Sequence, residues 1–322
     1  MEFTILGAGA LGSILAAHLA EAGHGVNVIA RGKRLEFLEK NGVVLRGLND
    51  LDTNCHIISD PGSISRTDVL ILTPKTYQHK AALEQVRHIE TTSVFSVTNG
   101  VQKTEQLVSE FGKSTTLGCM ADLSGELVES GEVLFTRNID VQIGGLDSSY
   151  QDQAERIAEC IHSAGINCHA VSNIVSVEWS KFVPWLALIS VAVLSRLPSW
   201  QFLLDPGSAK IIYRITCEMY ELACKLDIEL IDQSPAPASS IANASEDSAV
   251  RIITEIGEEM KAKAPLHKMS ALQDLENGRP LELEETIGYA LEKAHEHNVS
   301  MPTVDNCYQL ICAINRANIV SP

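Results

Sequence analysis

The sequence has few positive charges, and this shortage excludes several classes of partner. It contains 25 lysine and arginine residues against 41 aspartate and glutamate residues, so its formal net charge is -16 at pH 7. Surfaces that bind nucleic acids or anionic membranes need clustered positive charge. We therefore expect no nucleic-acid partner, and any anion site must be built from a few local basic residues and helix N-termini.

The sequence also lacks paired cysteines, a basic leader and a long apolar run. None of the eight cysteines belongs to a C-x-x-C pair, which argues against a zinc-ribbon or thioredoxin site and indicates reduced, mostly buried thiols. The N-terminal residues 1–6 lack the basic region of a signal peptide. The longest apolar stretch, residues 182–194, contains Pro184 and is shorter than the roughly 20 residues of a membrane helix. These features predict a soluble cytoplasmic protein without a membrane segment.

Strand and helix patterns alternate through the first half of the chain. Short runs rich in β-branched and apolar residues are separated by segments of helical composition, and the runs cover residues 3–6, 26–29, 69–72 and 93–97. This alternation predicts a doubly wound parallel sheet of the Rossmann type. Beyond residue 150, apolar residues recur at helical spacing, which predicts an all-helical C-terminal domain. The expected fold class is therefore α/β, with a nucleotide-binding domain at 1–170 and a helical substrate and catalytic domain at 171–322.

Three segments interrupt this pattern. Residues 43–46 and 55–58 flank an Asn-Asp turn, which predicts a hairpin insertion. Residues 115–143 are β-rich and contain several glycines, and we expect them to continue the same sheet with antiparallel strands. Residues 232–248 are rich in serine, alanine and proline, which predicts a loop.

A glycine-rich motif follows the first predicted strand. It reads Gly-Ala-Gly-Ala-Leu-Gly, a G-x-G-x-x-G between a strand and a helix, which is the context of dinucleotide binding. Gly7 permits a tight turn, Gly9 lets the backbone approach a pyrophosphate, and Gly12 lets the helix pack on the strand. The helix N-terminus at Ala10 and Leu11 would supply amides to the phosphates. A glycine turn without a ligand is the alternative.

The end of the second strand favours NADP(H) as the cofactor. It carries Arg31, Lys33 and Arg34, and no acid stands where an NAD site binds the ribose hydroxyls. A guanidinium pairs bidentately with a phosphate, so Arg31 is expected to bind the 2′-phosphate. A solvated basic loop is the alternative interpretation of the same residues.

Polar groups also follow the third and fourth parallel strands. Lys75 belongs to the segment Thr-Pro-Lys that follows the run 69–72, and Asn99 belongs to the segment Thr-Asn-Gly that follows the run 93–97. Ligands of doubly wound sheets bind beyond the carboxyl ends of the strands. We expect Lys75 to reach the ribose or the phosphates of the cofactor, and Asn99 to hold the nicotinamide ribose or the substrate. A simple Asn-Gly turn is the alternative for Asn99.

Together with later motifs, these residues resemble the ketopantoate reductase (2-dehydropantoate 2-reductase) family. The segment Glu-Trp-Ser-Lys-Phe at 178–182 resembles the family's helix opening. The segments Ser-Ala-Leu-Gln-Asp at 270–274 and Gly-Arg-Pro-Leu-Glu at 278–282 are similar to its second signature. The resemblance covers essentially the whole chain. It implies an NADPH-dependent oxidoreductase that reduces a 2-oxo acid to a 2-hydroxy acid, as in pantothenate biosynthesis.

The resemblance also implies roles for three residues. Lys181 matches the family's catalytic lysine, Glu282 its acidic partner, and Ser270 a residue that binds the substrate carboxylate. An ammonium group can stabilise the negative charge that hydride delivery builds on the carbonyl oxygen, and can then protonate it. An ordinary surface lysine and a solvated helix-start acid are the alternatives for Lys181 and Glu282. The expected partner is a small 2-oxo acid, and a homodimer is one of the open oligomeric states.

The chain departs from the family pattern at positions that face the substrate. The family typically carries asparagines four and eight residues after the lysine, and here these positions are Trp185 and Ile189. A third asparagine is replaced by His267, and the Asn-Gly after the acidic motif reads Ile287-Gly. A buried hydroxyl of ketopantoate would lose its partners in such a pocket, which is costly. Trp185 is therefore expected to bind substrate, with core packing as the alternative.

Three functions stay open on this basis. The first is reduction of ketopantoate, and the second is reduction of a more apolar or aromatic 2-oxo acid, as by the mandelate-type dehydrogenases of the family. The third is an NADP-binding sensor without turnover, against which the retention of Lys181, Ser270 and Glu282 argues.

Overall fold

The computed structural model describes residues 1–320 of the chain. Contacts divide the chain into two compact units, the first from Met1 to Val175 and the second from Ser176 onward. The expected domain limits of 1–170 and 171–322 stay a prediction, because a division by contacts does not define where a functional domain begins.

The strands all lie in the first unit. In chain order they are β1 (Glu2–Leu6), β2 (Gly25–Ile29), β3 (Val43–Gly47), β4 (Leu51–Thr53), β5 (His56–Ile58), β6 (Arg66–Leu72), β7 (Glu90–Ser96), β8 (Leu117–Leu127), β9 (Val133–Gly145) and β10 (Cys168–Ala170). Within residues 1–320 they form two sheets of five strands each. The first sheet has the order β5-β2-β1-β6-β7 and is parallel throughout, which confirms the doubly wound α/β prediction.

The register of the first sheet aligns the carboxyl ends of four strands. Leu6, the last residue of β1, pairs with Ile29 at the end of β2 and with Leu72 at the end of β6. Leu72 in turn pairs with Ser96, the last residue of β7. The loops that carry the glycine motif, the basic residues, Lys75 and Asn99 therefore all begin at one edge of the sheet.

The second sheet corrects two predictions. β3 pairs with β4 across the Asn-Asp turn, whereas β5 leaves this hairpin and lies parallel to β2. β8 and β9 belong to the second sheet, and an isolated parallel bridge between Val94 of β7 and Thr116, the residue before β8, links them to the first sheet. β9 pairs with β8 along one edge and with β3 and β10 along the other, in the order β10-β9-β3-β4, so the hydrogen-bonding groups of this long strand are used within the second sheet.

The helices of the first unit flank these strands. They are α1 (Ala10–Glu21), α2 (Gly32–Asn41), α3 (His79–Val86), α4 (Gln102–Phe111) and α5 (Gln151–Ser163). Helix α1 is buried along most of its length, and eight of its twelve residues are alanine, leucine or isoleucine. This composition lets the helix pack between the glycine turn and the core of the unit.

From Ser176 to residue 320 the second unit consists of helices, apart from one isolated bridge between Gln233 and Ala236, which confirms an all-helical C-terminal part. The helices are α6 (Ile174–Ser195), α7 (Ser199–Leu204), α8 (Pro206–Lys225), α9 (Ala238–Ala242), α10 (Glu246–Lys263), α11 (Ser270–Glu276), α12 (Tyr289–Glu296) and α13 (Pro302–Val320), and a π-helical turn at Glu284–Gly288 precedes α12. The predicted loop at 232–248 is wrong in part, because it contains α9 and the start of α10. Ser245 caps α10, so a serine that indicated a loop begins a helix.

Helix α6 is longer than the apolar stretch in the sequence. It has 22 residues, and by length and composition alone it could cross a membrane. The apolar stretch 182–194 is only a part of this helix. Pro184 lies inside the helix and removes one backbone hydrogen bond without ending it. The most apolar 18-residue window of α6 is 89% buried, which is typical of the core helix of a folded domain.

Candidate functional site

The glycine turn after β1 fits a dinucleotide. Gly7 has a φ of +101°, and a Cβ added there would come within 2.7 Å of Thr73 Oγ1. A Cβ on Gly12 would come within 2.0 Å of the Gly7 carbonyl oxygen. At Gly9, by contrast, no atom of residues 1–320 lies within 4 Å of the Cβ position. The turn is therefore closed where the helix packs and open where a pyrophosphate would approach the backbone at the N-terminus of α1.

The three basic residues after β2 are not equivalent. Arg34 folds back on the glycine turn, where its Nε donates to the Ala8 carbonyl oxygen at 2.7 Å and an Nη donates to Ser13 Oγ at 2.8 Å. Burial lowers the pKa of Arg34 to about 10, so the group stays charged at neutral pH. Arg31 and Lys33 are exposed at the start of α2. Of the three basic residues after β2, these two have exposed side chains that a 2′-phosphate could reach.

Lys75 and Asn99 follow neighbouring strands and are both half-buried. Lys75 precedes a 3-10 turn at Thr76–Gln78. Asn99 precedes Gly100, whose φ of +80° turns the chain towards α4. The Thr73 hydroxyl donates a hydrogen bond to the Gly7 carbonyl oxygen at 2.7 Å, a role that the sequence does not predict. Its short polar side chain joins the end of β6 to the glycine turn.

A pocket in the second unit brings together three of the predicted site residues, Ser270, Glu282 and Trp185. Its empty volume, including the open mouth, is about 330 Å³. Asp274 also contributes to its polar side. The remaining lining residues are apolar: Ile189, Val193, Ala271, Leu281, Leu283, Ile287 and Ile311. The pocket thus combines a hydroxyl and two carboxyl groups with an extensive aliphatic and aromatic wall.

Helix α6 supplies one wall of this pocket. Trp185, Ile189 and Val193 are spaced by four residues, so they lie on one face of the helix. Lys181 lies one turn earlier on the same face and is half-buried. Ser180 Oγ accepts a hydrogen bond from the Ile231 amide at 2.8 Å, which holds the loop between α8 and α9 against the turn of α6 that carries the lysine.

Aromatic contacts fix the orientation of Trp185. Its ring stacks on Phe182 with centroids 6.3 Å apart, and Phe182 meets Trp179 edge to face at 5.8 Å. Such pairs contribute on the order of 1 kcal/mol each beyond their burial. Trp185 is 7% exposed, so it has a packing role as well as a place in the pocket.

The segment that carries Glu282 is anchored on both sides. Asp274 accepts a hydrogen bond from Arg279 Nε at 2.8 Å and is almost buried. The sequence alone predicts no role for this residue. The Leu281 amide donates to Asn315 Oδ1 at 3.1 Å, and the Thr286 hydroxyl donates to the Glu282 carbonyl oxygen. Because its neighbours are tied to α11 and α13, the Glu282 backbone has a defined position beside the pocket.

Two of the replaced asparagine positions behave differently. Ile287 is completely buried in the π-helical turn and lines the pocket. His267 is not among the lining residues, and its Nδ1 lies 2.8 Å from Ser199 Oγ. The Ser199 amide also donates to the His267 carbonyl oxygen at 2.9 Å. The histidine therefore ties the loop before α11 to the start of α7.

Comparison with known protein families shows that most of the chain matches one of them. The family model described as "Ketopantoate reductase PanE/ApbA" matches residues 3–148, and its C-terminal counterpart matches residues 173–315. The 2-dehydropantoate 2-reductase of Archaeoglobus fulgidus is 26% identical over 312 residues, covering 97% of this chain and 93% of the relative. The uncharacterized oxidoreductase YkpB of Bacillus subtilis is also 26% identical, covering 96% of this chain and 97% of that protein.

Solved structures share the fold across the whole chain. A ketopantoate reductase of the PanE/ApbA family from Ralstonia eutropha superposes with a TM-score of 0.82 at 20% identity, covering 99% of both chains. D-mandelate dehydrogenase bound to NADH and anilino(oxo)acetate gives 0.85 at 18% identity, covering 99% of this chain and all of the other. The chain is therefore an oxidoreductase of the ketopantoate reductase family, a family of pyridine-nucleotide-dependent enzymes that act on CH–OH groups.

Proposed function

We propose that this protein reduces a 2-oxo acid to the 2-hydroxy acid with NADPH. The observation that carries this proposal is the pocket that groups Ser270 and Glu282 with Trp185. Lys181 does not line this pocket, but it lies one helical turn before Trp185 on α6. A hydroxyl, a carboxylate and an ammonium group are the groups that carbonyl reduction needs, and in this proposal Ser270, Glu282 and Lys181 supply them. The family membership supports the same reaction.

Each group has a distinct role in this proposal. When bound, the nicotinamide supplies a hydride to the carbonyl carbon. The Lys181 ammonium stabilises the charge that develops on the carbonyl oxygen and transfers a proton to it. Glu282 keeps the lysine charged and oriented. Ser270 donates a hydrogen bond to the substrate carboxylate without adding charge to the pocket.

The choice of NADPH over NADH rests on the start of α2. Arg31 and Lys33 are exposed there, whereas Arg34 is engaged by the glycine turn. Two cations next to the end of β2 match the charge of a 2′-phosphate, and the sequence has no acid there to bind an unmodified ribose. The glycine turn, Lys75 and Asn99 would hold the rest of the nucleotide.

A more apolar substrate than ketopantoate is the second candidate. Ile287 and Ile189 are almost fully buried in the pocket wall, and neither can pair with a substrate hydroxyl. Leaving a buried hydroxyl unpaired costs about 1–3 kcal/mol, which would lower kcat/KM for ketopantoate relative to an aliphatic or aromatic 2-oxo acid. The similarity in fold to D-mandelate dehydrogenase is consistent with this substrate class.

We further propose a cytoplasmic enzyme that forms a dimer. All eight cysteines, the first of which is Cys55 and the last Cys312, are free thiols, which suits a reducing compartment. The ketopantoate reductase of Staphylococcus aureus, a structural neighbour with a TM-score of 0.76, is dimeric.

The direct test is NADPH oxidation with a panel of 2-oxo acids. The panel contains ketopantoate, its deoxy analogue 3,3-dimethyl-2-oxobutanoate, 4-methyl-2-oxopentanoate and phenylglyoxylate. We expect turnover with at least one of them, and higher kcat/KM for the apolar acids than for ketopantoate. Intact NADPH binding with no turnover across the panel would instead support the sensor function.

A further inference from the structure

A buried lysine in the first unit has no part in the proposed chemistry. Lys103 lies in the first turn of α4 and is 5% exposed. Its Nζ donates to the Thr98 carbonyl oxygen at 2.6 Å and to the Cys119 carbonyl oxygen at 2.7 Å. Burying an ammonium group is costly unless the fold satisfies it, so a lysine kept in this position has a specific structural task.

The first of these contacts acts on the loop that carries Asn99. Thr98 directly precedes Asn99, and Gly100 directly follows it with a φ of +80°. In this loop the chain leaves β7 and turns into α4, so the sheet no longer supplies a donor for the Thr98 carbonyl oxygen. The ammonium group takes that place. Because the second carbonyl oxygen belongs to β8, the same group also joins the loop to the second sheet.

Helix α4 also holds the loop that carries Lys75. His79, the first residue of α3, is 1% exposed, and its Nδ1 lies 2.7 Å from Gln106 Oε1. Gln106 Nε2 donates to Gln102 Oε1 at 3.2 Å, which leaves Oε1 to accept from the histidine. His79 follows the 3-10 turn that begins after Lys75. Helix α4 therefore contacts the Asn99 loop through Lys103, and through Gln106 it contacts the start of α3, which follows the Lys75 loop.

We propose that Lys103 is a positioning residue that fixes the Asn99 loop and, together with Gln106 and His79, holds it in register with the Lys75 loop for nucleotide binding. The proposal rests on the proposed function in one respect, that Lys75 and Asn99 contact the nucleotide. Lys103 itself is not a catalytic residue, because its ammonium group is directed to backbone oxygens inside the unit.

The test compares Lys103→Met with Leu107→Ala. Leu107 is fully buried one turn later in α4, so its truncation leaves a cavity in the same helix but keeps the hydrogen bonds of Lys103. NADPH dissociation constants are measured by nucleotide fluorescence at a temperature where melting curves show both variants folded. We expect about a tenfold or greater loss of affinity in Lys103→Met and a near-native value in Leu107→Ala. An unchanged affinity in Lys103→Met, or equal losses in both variants, would overturn the proposal.

A double-mutant cycle with Asn99→Ala separates positioning from general stability. If Lys103 acts through the Asn99 loop, the two losses in NADPH affinity are not additive. Additive losses, or a loss in Lys103→Met when Asn99→Ala and Lys75→Ala have no effect, would contradict the positioning role. The proposed reductase function would fail if no 2-oxo acid were turned over. The positioning role is tested by NADPH affinity, so these measurements decide it independently of turnover.

Gln106→Met provides a second route if Lys103→Met does not fold. It removes the bond to His79 without changing a buried charge. We expect a smaller loss of NADPH affinity, of a few-fold, that is not additive with Lys75→Ala. Native affinity in this variant would show that the contact between α3 and α4 does not position the Lys75 loop.

Discussion

Arg34 Nε donates a hydrogen bond to the Ala8 carbonyl oxygen at 2.7 Å, so one of the three basic residues after β2 is a structural part of the glycine turn. The other two, Arg31 and Lys33, are exposed. This relationship divides a basic cluster that looks uniform in the sequence into one cation that is bonded to the glycine turn and two that are exposed to solvent.

Arg31→Ala should therefore change the preference between the two nucleotides. A charge-assisted contact contributes roughly 1.5–3 kcal/mol, so the affinity for NADPH should fall about tenfold to a hundredfold while that for NADH changes little. Isothermal titration with both nucleotides measures the effect. Arg34→Met is the control, because it should weaken both nucleotides and lower Tm. Equal losses for NADPH and NADH in Arg31→Ala would remove the 2′-phosphate assignment.

Lys181→Met should lower kcat by about 10²- to 10⁴-fold, the range of general acid catalysis, with little change in NADPH affinity. The reason is that its ammonium group acts mainly where charge develops in the transition state. Steady-state kinetics and a fluorescence titration give the two quantities separately. A near-native kcat would exclude Lys181 from the mechanism.

Glu282→Gln should impair the same step as Lys181→Met. Glu284 offers a matched control two residues away, because it is exposed and bonds to Tyr308 instead of lining the pocket. Glu284→Gln should keep native kcat. If the two glutamine variants have the same kcat, the acidic partner of the lysine is not Glu282.

Ile287→Asn and Trp185→Asn should shift the preference towards ketopantoate. Each places an amide in the pocket wall, where it can pair with a substrate hydroxyl, and a change of about tenfold in the ratio of kcat/KM values is expected. Leu188→Asn serves as a control, because Leu188 is buried on α6 but does not line the pocket. It should lower stability and leave the ratio unchanged. An unchanged ratio in the pocket variants would assign both residues to core packing.

His79 should make the protein less stable in mild acid. Burial lowers its pKa from 6.5 to about 4, and the Lys103 charge adds to this effect. Its Nε2 has no hydrogen-bond partner among residues 1–320, so a proton there would be buried without an acceptor. Between pH 6.5 and 4 the unfolded chain binds a proton that the folded chain does not, so stability falls with pH by on the order of 3 kcal/mol.

Urea unfolding of the native protein and of His79→Gln between pH 4.5 and 7.5 measures this contribution. The native protein should lose more free energy of unfolding on acidification than the variant. Parallel curves would mean that His79 titrates alike in the folded and unfolded states.

The sequence predicts the features of this protein that depend on local pattern. Strand and helix periodicity and the glycine motif give the parallel sheet, the helical second part and the position of the turn at Gly7. Pairing between distant strands is not a local property, so the sequence does not predict that β5 joins the first sheet or that β8 and β9 pair within the second.

Burial of charge is equally hard to read from the sequence. Lys103 is satisfied by a carbonyl oxygen 16 residues away, and Arg34 contacts a turn that precedes it by 26 residues. In the sequence, nothing distinguishes this lysine or this arginine from those that lie on the surface. Asp274 likewise ends the segment Ser-Ala-Leu-Gln-Asp, but its ion pair with Arg279 beside the pocket depends on how the intervening loop folds.

Hydride transfer itself is tested most directly with NADPH deuterated at C4. The protein is incubated with the dideuterated nucleotide and an apolar 2-oxo acid, and the product is analysed by mass spectrometry. We predict a 2-hydroxy acid with one deuterium at C2, formed by the native protein and almost absent with Lys181→Met. Bound NADPH with no deuterated hydroxy acid from any acid of the panel would contradict the assignment of this protein as a 2-oxo acid reductase.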